Sequence, residues 1–177
     1  MMNIVIWRHA EAEFKSISGL DHDRLLTEKG RADAHRMAKW LQKNLPRNTK
    51  IYTSPALRCL ETVDELIKLN TQKIERNVQV VDVLNVESHA SAIRQQLLQE
   101  NEQKSILLVG HQPTLGDLVG DLLSVENQAA VAKQNLTTLP LVVKKGSVWW
   151  LRSKIKPQEG ALNRQIFVLT VQHPDLI

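Results

Sequence analysis

An arginine and a histidine stand side by side at Arg8-His9, directly after the apolar run Ile4-Val5-Ile6-Trp7. An extended run that stops at such a pair delivers a cation and an imidazole to the carboxyl end of a strand, where open α/β sheets bind their ligands. That combination suits phosphate. Two later segments add to it. Thr53-Ser54-Pro55-Ala56-Leu57-Arg58-Cys59-Leu60-Glu61-Thr62 follows the strand-like Lys50-Ile51-Tyr52 and opens an apolar-periodic helix. Pro55 fits a first helical turn, where its missing N–H has no duty, and Ser54 is a suitable cap, so Arg58 is expected near a helix N-terminus. Ser105-Ile106-Leu107-Leu108-Val109-Gly110-His111-Gln112-Pro113 is a buried-strand pattern ending in Gly-His, which places a second imidazole at a second strand end.

Phosphoryl transfer needs an in-line nucleophile and fixed positive charge around the oxygens, over which charge spreads in the transition state. His9 fits the nucleophile, because a neutral imidazole nitrogen attacks well when a backbone acceptor holds its other nitrogen. Arg8 and Arg58 can each offer a planar fork to phosphate oxygens, which a lysine cannot match. The plainer alternatives are a surface histidine at a strand end and a pair of ordinary surface or salt-bridged arginines.

Together the three segments resemble the histidine phosphatase superfamily: Arg-His after the first strand, Ser-Pro-x-x-Arg-x-x-x-Thr after the second, and Gly-His-x-Pro near the middle. The short chain, the Arg8-His9-Ala10-Glu11-Ala12 variant and Leu26-Thr27-Glu28-Lys29-Gly30 look most like the SixA phosphohistidine phosphatases within it. The resemblance spans residues 3 to 123 and is looser beyond. It implies a three-layer α/β/α fold of the phosphoglycerate mutase-like type, no cofactor, and a phosphohistidine-bearing partner such as a phosphotransfer domain. It also implies that His111 donates to a phosphoryl oxygen, the alternative being a satisfied core histidine. In related phosphomonoesterases a carboxylic acid serves the leaving oxygen. The region after the third strand offers Asp82 and Glu87, neither in a recognisable motif. A site without a strong general acid favours phosphoramidates, since imidazole leaves far more readily than an alkoxide.

Other reactive residues fit less well. Cys59 as a tyrosine-phosphatase nucleophile would need an arginine six residues on, where Glu65 stands, so it reads as a packed helix residue. Asp21, His22 and Asp23 could suggest a metal, but no second ligand cluster supports them, and they read as a solvated loop, the alternative being that one of them borders the pocket. Glu11 faces either the site or solvent. Of Trp149 and Trp150, alternation across a strand puts one ring in the core and the other at the surface or an interface.

The elements that must position these groups alternate. Strands are expected at 3–7, 50–53, 78–81 and 105–109. Helices are expected from a Thr27 cap to about Leu45, from Pro55 to about Leu69 with Cys59, Leu60, Val63 and Ile67 on one face, from a Ser88 cap through Ala90, Ile93 and Leu97, and at about 114–123. This pattern predicts a largely parallel sheet covered on both faces. Ser147–Leu151 and Gln165–Val171 read as late strands, and 124–145 has no clear pattern.

At 177 residues the chain has length for one domain, taken as 1–177. Hydrophobic residues at 42% and charged residues at 24% argue against disorder. The net charge of +4 suits an anionic substrate, while interspersed acidic residues disfavour nucleic acid. One cysteine excludes an intramolecular disulfide, and no apolar run reaches membrane-span length, so a cytoplasmic location is expected with no membrane partner. The expected function is a metal-independent phosphatase that takes the phosphoryl group from a phosphohistidine protein onto His9, with Arg8, Arg58 and His111 binding the oxygens. The alternatives are a small-molecule phosphomonoesterase and a non-catalytic phosphate-binding module. Oligomeric state is not legible.

Overall fold

A computed structural model describes residues 1–69, 78–97, 105–124, 141–158 and 161–177. The chain runs β1 (Met2–Arg8), α1 (Glu28–Asn44), β2 (Lys50–Thr53), α2 (Leu57–Leu69), β3 (Val78–Val80), α3 (Ala90–Leu97), β4 (Ser105–Gly110), α4 (Thr114–Ser124), β5 (Val148–Gln158) and β6 (Ala161–Gln172). One six-stranded sheet forms in the order β3-β2-β4-β1-β5-β6. The first four strands are parallel, β5 is antiparallel to β1, and β6 is antiparallel to β5.

The continuous apolar runs of β1 and β4 follow from burial on both faces, which removes the polar alternation of a half-exposed strand. Ile4, Ile6, Ile106 and Leu108 pack on one face with Ile93, Leu115, Leu118 and Leu122 of α3 and α4. Val5, Trp7, Leu107 and Val109 pack on the other with Met37, Leu41, Cys59 and Leu66 of α1 and α2. Each fully buried aliphatic side chain contributes about 1.5–3 kcal/mol, so the two layers fix the parallel strands firmly.

Because β1, β2 and β4 run parallel, their carboxyl ends share one edge of the sheet, and β5 begins there too, with Val148 paired to Trp7. Thr27 caps α1, its Oγ1 accepting from Gly30 N–H at 2.9 Å. The helix start lies so close to the loop after β1 that a methyl group at Gly30 would overlap the Glu11 carbonyl. Glycine is required there by contact, and the loop is braced as a result.

Several boundaries differ from expectation. α2 starts at Leu57, since Pro55 and Ala56 form a bend and the Ala56 carbonyl accepts the first helical N–H groups. On α2 Cys59 and Val63 are buried with Leu66, while Leu60 and Ile67 are partly exposed. Ser88 does not cap α3. Its hydroxyl donates to the Asp82 carbonyl at 3.0 Å, and the His89 carbonyl takes the helix's first N–H groups. β5 and β6 extend beyond the apolar runs, because an antiparallel hairpin continues pairing without two buried faces. Residues 125–140 of the unpatterned segment lie outside the described residues. Trp150 is buried edge-on against Trp40, and Trp149 is partly exposed. Among the described residues no helix is long and apolar enough to cross a membrane.

Candidate active site

The parallel edge brings Arg8, His9, Arg58 and His111 together. His9 continues the β1 pairing: its N–H donates to the Gly110 carbonyl and its own carbonyl accepts from Gly146 N–H, each at 3.1 Å. Its Nδ1 lies 2.7 Å from the Ala10 carbonyl. A carbonyl only accepts, so Nδ1 carries the proton and Nε2 keeps its lone pair. The rings of His9 and His111 are 5.1 Å apart between centroids and tilted by 55°. Both are buried, His9 at 6% exposure and His111 at 3%.

Burial pushes the His9 imidazole down to about 3; the Ala10 hydrogen bond opposes this, while His111, Arg58 and Arg8 reinforce it. Burial likewise brings His111 to about 3, helped by Arg58 and Arg8 against Asp21. Both rings are therefore neutral near pH 7. The pair can offer a nucleophilic nitrogen and a hydrogen-bond donor to the same small anion.

Each arginine is held by a different device. Arg8 Nη1 donates to the Val143 carbonyl at 2.9 Å, and its buried Nε has no partner among the described residues. Burial also lowers its pKa. The 141–143 segment that receives Arg8 is clamped by Gln112, whose Nε2 donates to the Leu141 carbonyl at 2.8 Å and whose Oε1 accepts from Val143 N–H at 3.2 Å. Arg58 is 3% exposed and donates twice to Asp21: Nη1 to the main-chain carbonyl at 2.7 Å, Nη2 to Oδ2 at 2.8 Å. Asp21 Oδ1 takes Arg24 Nη1 at 2.7 Å. Burial raises the Asp21 carboxyl, but the bonds from Arg24 and Arg58 outweigh that and hold it below its ordinary range. Thr62 Oγ1 donates to the Arg58 carbonyl at 2.6 Å and accepts from Ala10 N–H at 3.1 Å, which ties α2 to the His9 loop.

Of the Asp21-His22-Asp23 group, Asp21 thus borders the site, serving arginines. Among the described residues no three His, Cys, Asp or Glu groups converge as metal ligands would. Glu11 turns to the α1 start, where its Oε1 accepts from Thr27 Oγ1 at 3.0 Å. Asp82 and Glu87 are exposed, and among the described residues neither carboxylate pairs with a site residue. Cys59 is packed inside, its thiol pushed up to about 12 by burial, which leaves it a poor nucleophile. Sequence reasoning missed Gln112 and Thr62 as supports, although both stand inside the quoted motifs. Arg24 and the arginine-binding role of Asp21 carried no local signal.

The model of the histidine phosphatase superfamily (branch 1) matches residues 4–80. A phosphohistidine phosphatase SixA homolog of Haemophilus influenzae is 30% identical over 133 residues, covering 71% of this chain and 80% of the relative. The phosphohistidine phosphatase SixA of Escherichia coli is 27% identical over 135 residues, 68% and 74% of the two chains. Among solved structures, the protein histidine phosphatase SixA complexed with tungstate superposes with a TM-score of 0.72 at 20% identity, over 98% of both chains, a likeness of fold. Sequence kinship and fold agree with the motif order: this chain belongs to the histidine phosphatase superfamily and is a SixA-like phosphatase.

Proposed function

We propose that this phosphatase hydrolyses phosphohistidine on a partner protein through a phospho-His9 intermediate, without a metal. The observation that carries the reading is the bond from His9 Nδ1 to the Ala10 carbonyl, which leaves a neutral, directed Nε2 beside two arginines and a second imidazole. In the first step Nε2 attacks phosphorus, the N–P bond of the substrate breaks, and its electron pair returns to the substrate imidazole, which leaves neutral because its other nitrogen already carries a proton taken from solvent. Water then attacks the phosphoryl group on His9, releasing phosphate and restoring the imidazole. Arg8 and Arg58 supply the positive charge a metal would otherwise supply, and His111 donates to a phosphoryl oxygen.

The leaving group follows from the carboxylates. Asp21 is held ionised by two arginines and is a poor proton donor, while among the described residues Asp82 and Glu87 pair with no site residue. Without a general acid, imidazole leaves and an alkoxide does not. A protein partner is supported by Phe14, Ile17 and Leu20 in the loop after β1 and by Val142, next to the carbonyl that holds Arg8, all large apolar residues left exposed.

A panel of substrates tests this at one pH, with and without a strong chelator. A phosphohistidine-bearing phosphotransfer domain should be turned over faster than an alkyl phosphomonoester by about 10²–10⁴-fold, the usual share of a general acid, with an aryl ester between them. Chelation should change nothing. Asp82→Asn and Glu87→Gln should leave the phosphoramidate reaction intact. Efficient alkyl ester hydrolysis lost in either amide variant would move the substrate class to small phosphomonoesters.

A further inference from the structure

His111 is the one member of the site whose ring has no main-chain anchor for its proton. Its Nε2 lies 2.8 Å from Ser54 Oγ and 3.5 Å from Cys59 Sγ. Its Nδ1 is buried and has no partner among the described residues. Ser54 is itself fully buried, and its Oγ also accepts from Ala56 N–H at 3.3 Å.

A hydroxyl has one proton and two lone pairs. If Nε2 carried the ring proton, Ser54 Oγ would accept from both Nε2 and Ala56, and His111 Nδ1 would turn a lone pair toward the phosphoryl oxygens. Lone pair would then face lone pair. With the proton on Nδ1, Ser54 accepts from Ala56 and donates to Nε2, and Nδ1–H is left free for an anion. Cys59 also lies beside this pair, its thiol kept protonated by burial and within hydrogen-bond reach of both Nε2 and Ser54.

We propose that Ser54 is a positioning residue for the reaction: held by Ala56 N–H, its hydroxyl donates to His111 Nε2 and fixes the ring proton on Nδ1, the nitrogen that bonds the transferring phosphoryl group. The proposal rests on the reading of His111 as a phosphoryl-oxygen donor. It explains why the serine that precedes the α2 bend belongs with Arg58 and Thr62 in one motif. The same short segment places one cation and sets the direction of the second imidazole.

The tautomer is directly observable in ¹⁵N spectra of histidine-labelled protein, with His111 identified by the signals lost in His111→Asn. The resting protein at pH 7 should show Nδ1 protonated and Nε2 bare, and Ser54→Ala should shift His111 toward the Nε2–H form. A wild-type His111 already in the Nε2–H form, or one unmoved by Ser54→Ala, overturns the proposal. In turnover of phosphohistidine, Ser54→Ala should lower kcat by about 10- to 100-fold, below the full loss of an oxyanion donor because the ring remains. Ser54→Thr should recover to within about threefold, since it restores the donor. A threonine worse than alanine would mean that Ser54 only fills space, and would overturn the proposal by that route. In a His111→Asn background, where an amide N–H replaces the ring donor, Ser54→Ala should cost nothing further. The spectra need no substrate, so a protein with the expected tautomer that hydrolyses no phosphohistidine would sink the functional reading separately.

Discussion

The two halves of the pocket are held by different kinds of group. Arg8 and His9 are gripped by main chain: the carbonyls of Ala10, Gly110 and Val143 and the N–H of Gly146. Arg58 and His111 are gripped mainly by side chains, Asp21 for the guanidinium and Ser54 for the imidazole. Backbone contacts survive substitution of the residues that supply them, so the direction of the His9 ring is robust to mutation. Side-chain contacts can be retuned singly. The Arg58–His111 half is therefore where contacts can drift while the His9 ring stays fixed.

The largest effect is expected at His9, the proposed nucleophile. His9→Ala should abolish turnover, by about 10⁴-fold or more as for other covalent nucleophiles, while the thermal midpoint stays close to wild type. Phosphate release and a melting curve check both. A folded His9→Ala protein with normal activity would reject the covalent mechanism. Arg58→Ala should cost about 10²–10³-fold in rate and weaken inhibition by phosphate or vanadate as well, because a charge-assisted contact is lost in ground and transition states alike. Unchanged inhibition would place Arg58 outside the pocket.

The same division explains what was legible in the sequence. β1 and β4 announce themselves because burial on both faces forces unbroken apolar runs, and the residues at their ends are read off directly. Arg8, His9 and His111 are placed at strand ends in that way, and Arg58 near the start of α2 through the Ser-Pro turn. β5 and β6 were read too short, since the hairpin carries on through polar residues such as Lys154. The supports of the side-chain half were harder to see. Asp21 is 37 residues from Arg58 in sequence and Ser54 is 57 from His111, so both contacts arise only when the sheet is assembled. Asp21 was noticed as part of an acidic loop, a pattern equally suited to solvent or a metal. Ser54 was noticed as a helix cap, and its bond to Ala56 N–H retains part of that character.

Electrostatically the halves are alike, and pH shows it. Each imidazole is pushed from 6.5 to about 3 in the folded chain, so below about pH 6.5 the unfolded chain binds protons that the native state refuses. Stability should therefore fall as pH drops from 6.5 toward 3, by about 1.4 kcal/mol per pH unit for each imidazole, and level off above 6.5. Urea midpoints at pH 7, 6 and 5 should show His9→Asn and His111→Asn each flattening that slope by a similar amount. A slope unchanged by either substitution would mean that the rings titrate normally, and that burial does not keep them neutral.

The smallest effect is expected at Asp21, and it tests whether the side-chain half is tuned. The Asp21 carboxylate engages Arg58 Nη2 and the neighbouring Arg24 Nη1, so a phosphate competes with it for those donors. The carboxylate is half-exposed, which limits such a pair to about 0.2–1 kcal/mol after screening. Asp21→Asn keeps the volume and one acceptor, leaves the main-chain carbonyl bond to Arg58 Nη1 in place, and removes a negative charge from beside the pocket. Product inhibition by phosphate should tighten by about twofold to fivefold, with the gain shrinking at high salt. The step at His9 should change little, because among the described residues the side-chain partners of Asp21 are Arg24 and Arg58. Weaker phosphate inhibition in Asp21→Asn would reverse the interpretation: the aspartate would then be needed to aim Arg58, and the oxygen-binding half would be as rigidly set as the half that carries the nucleophile.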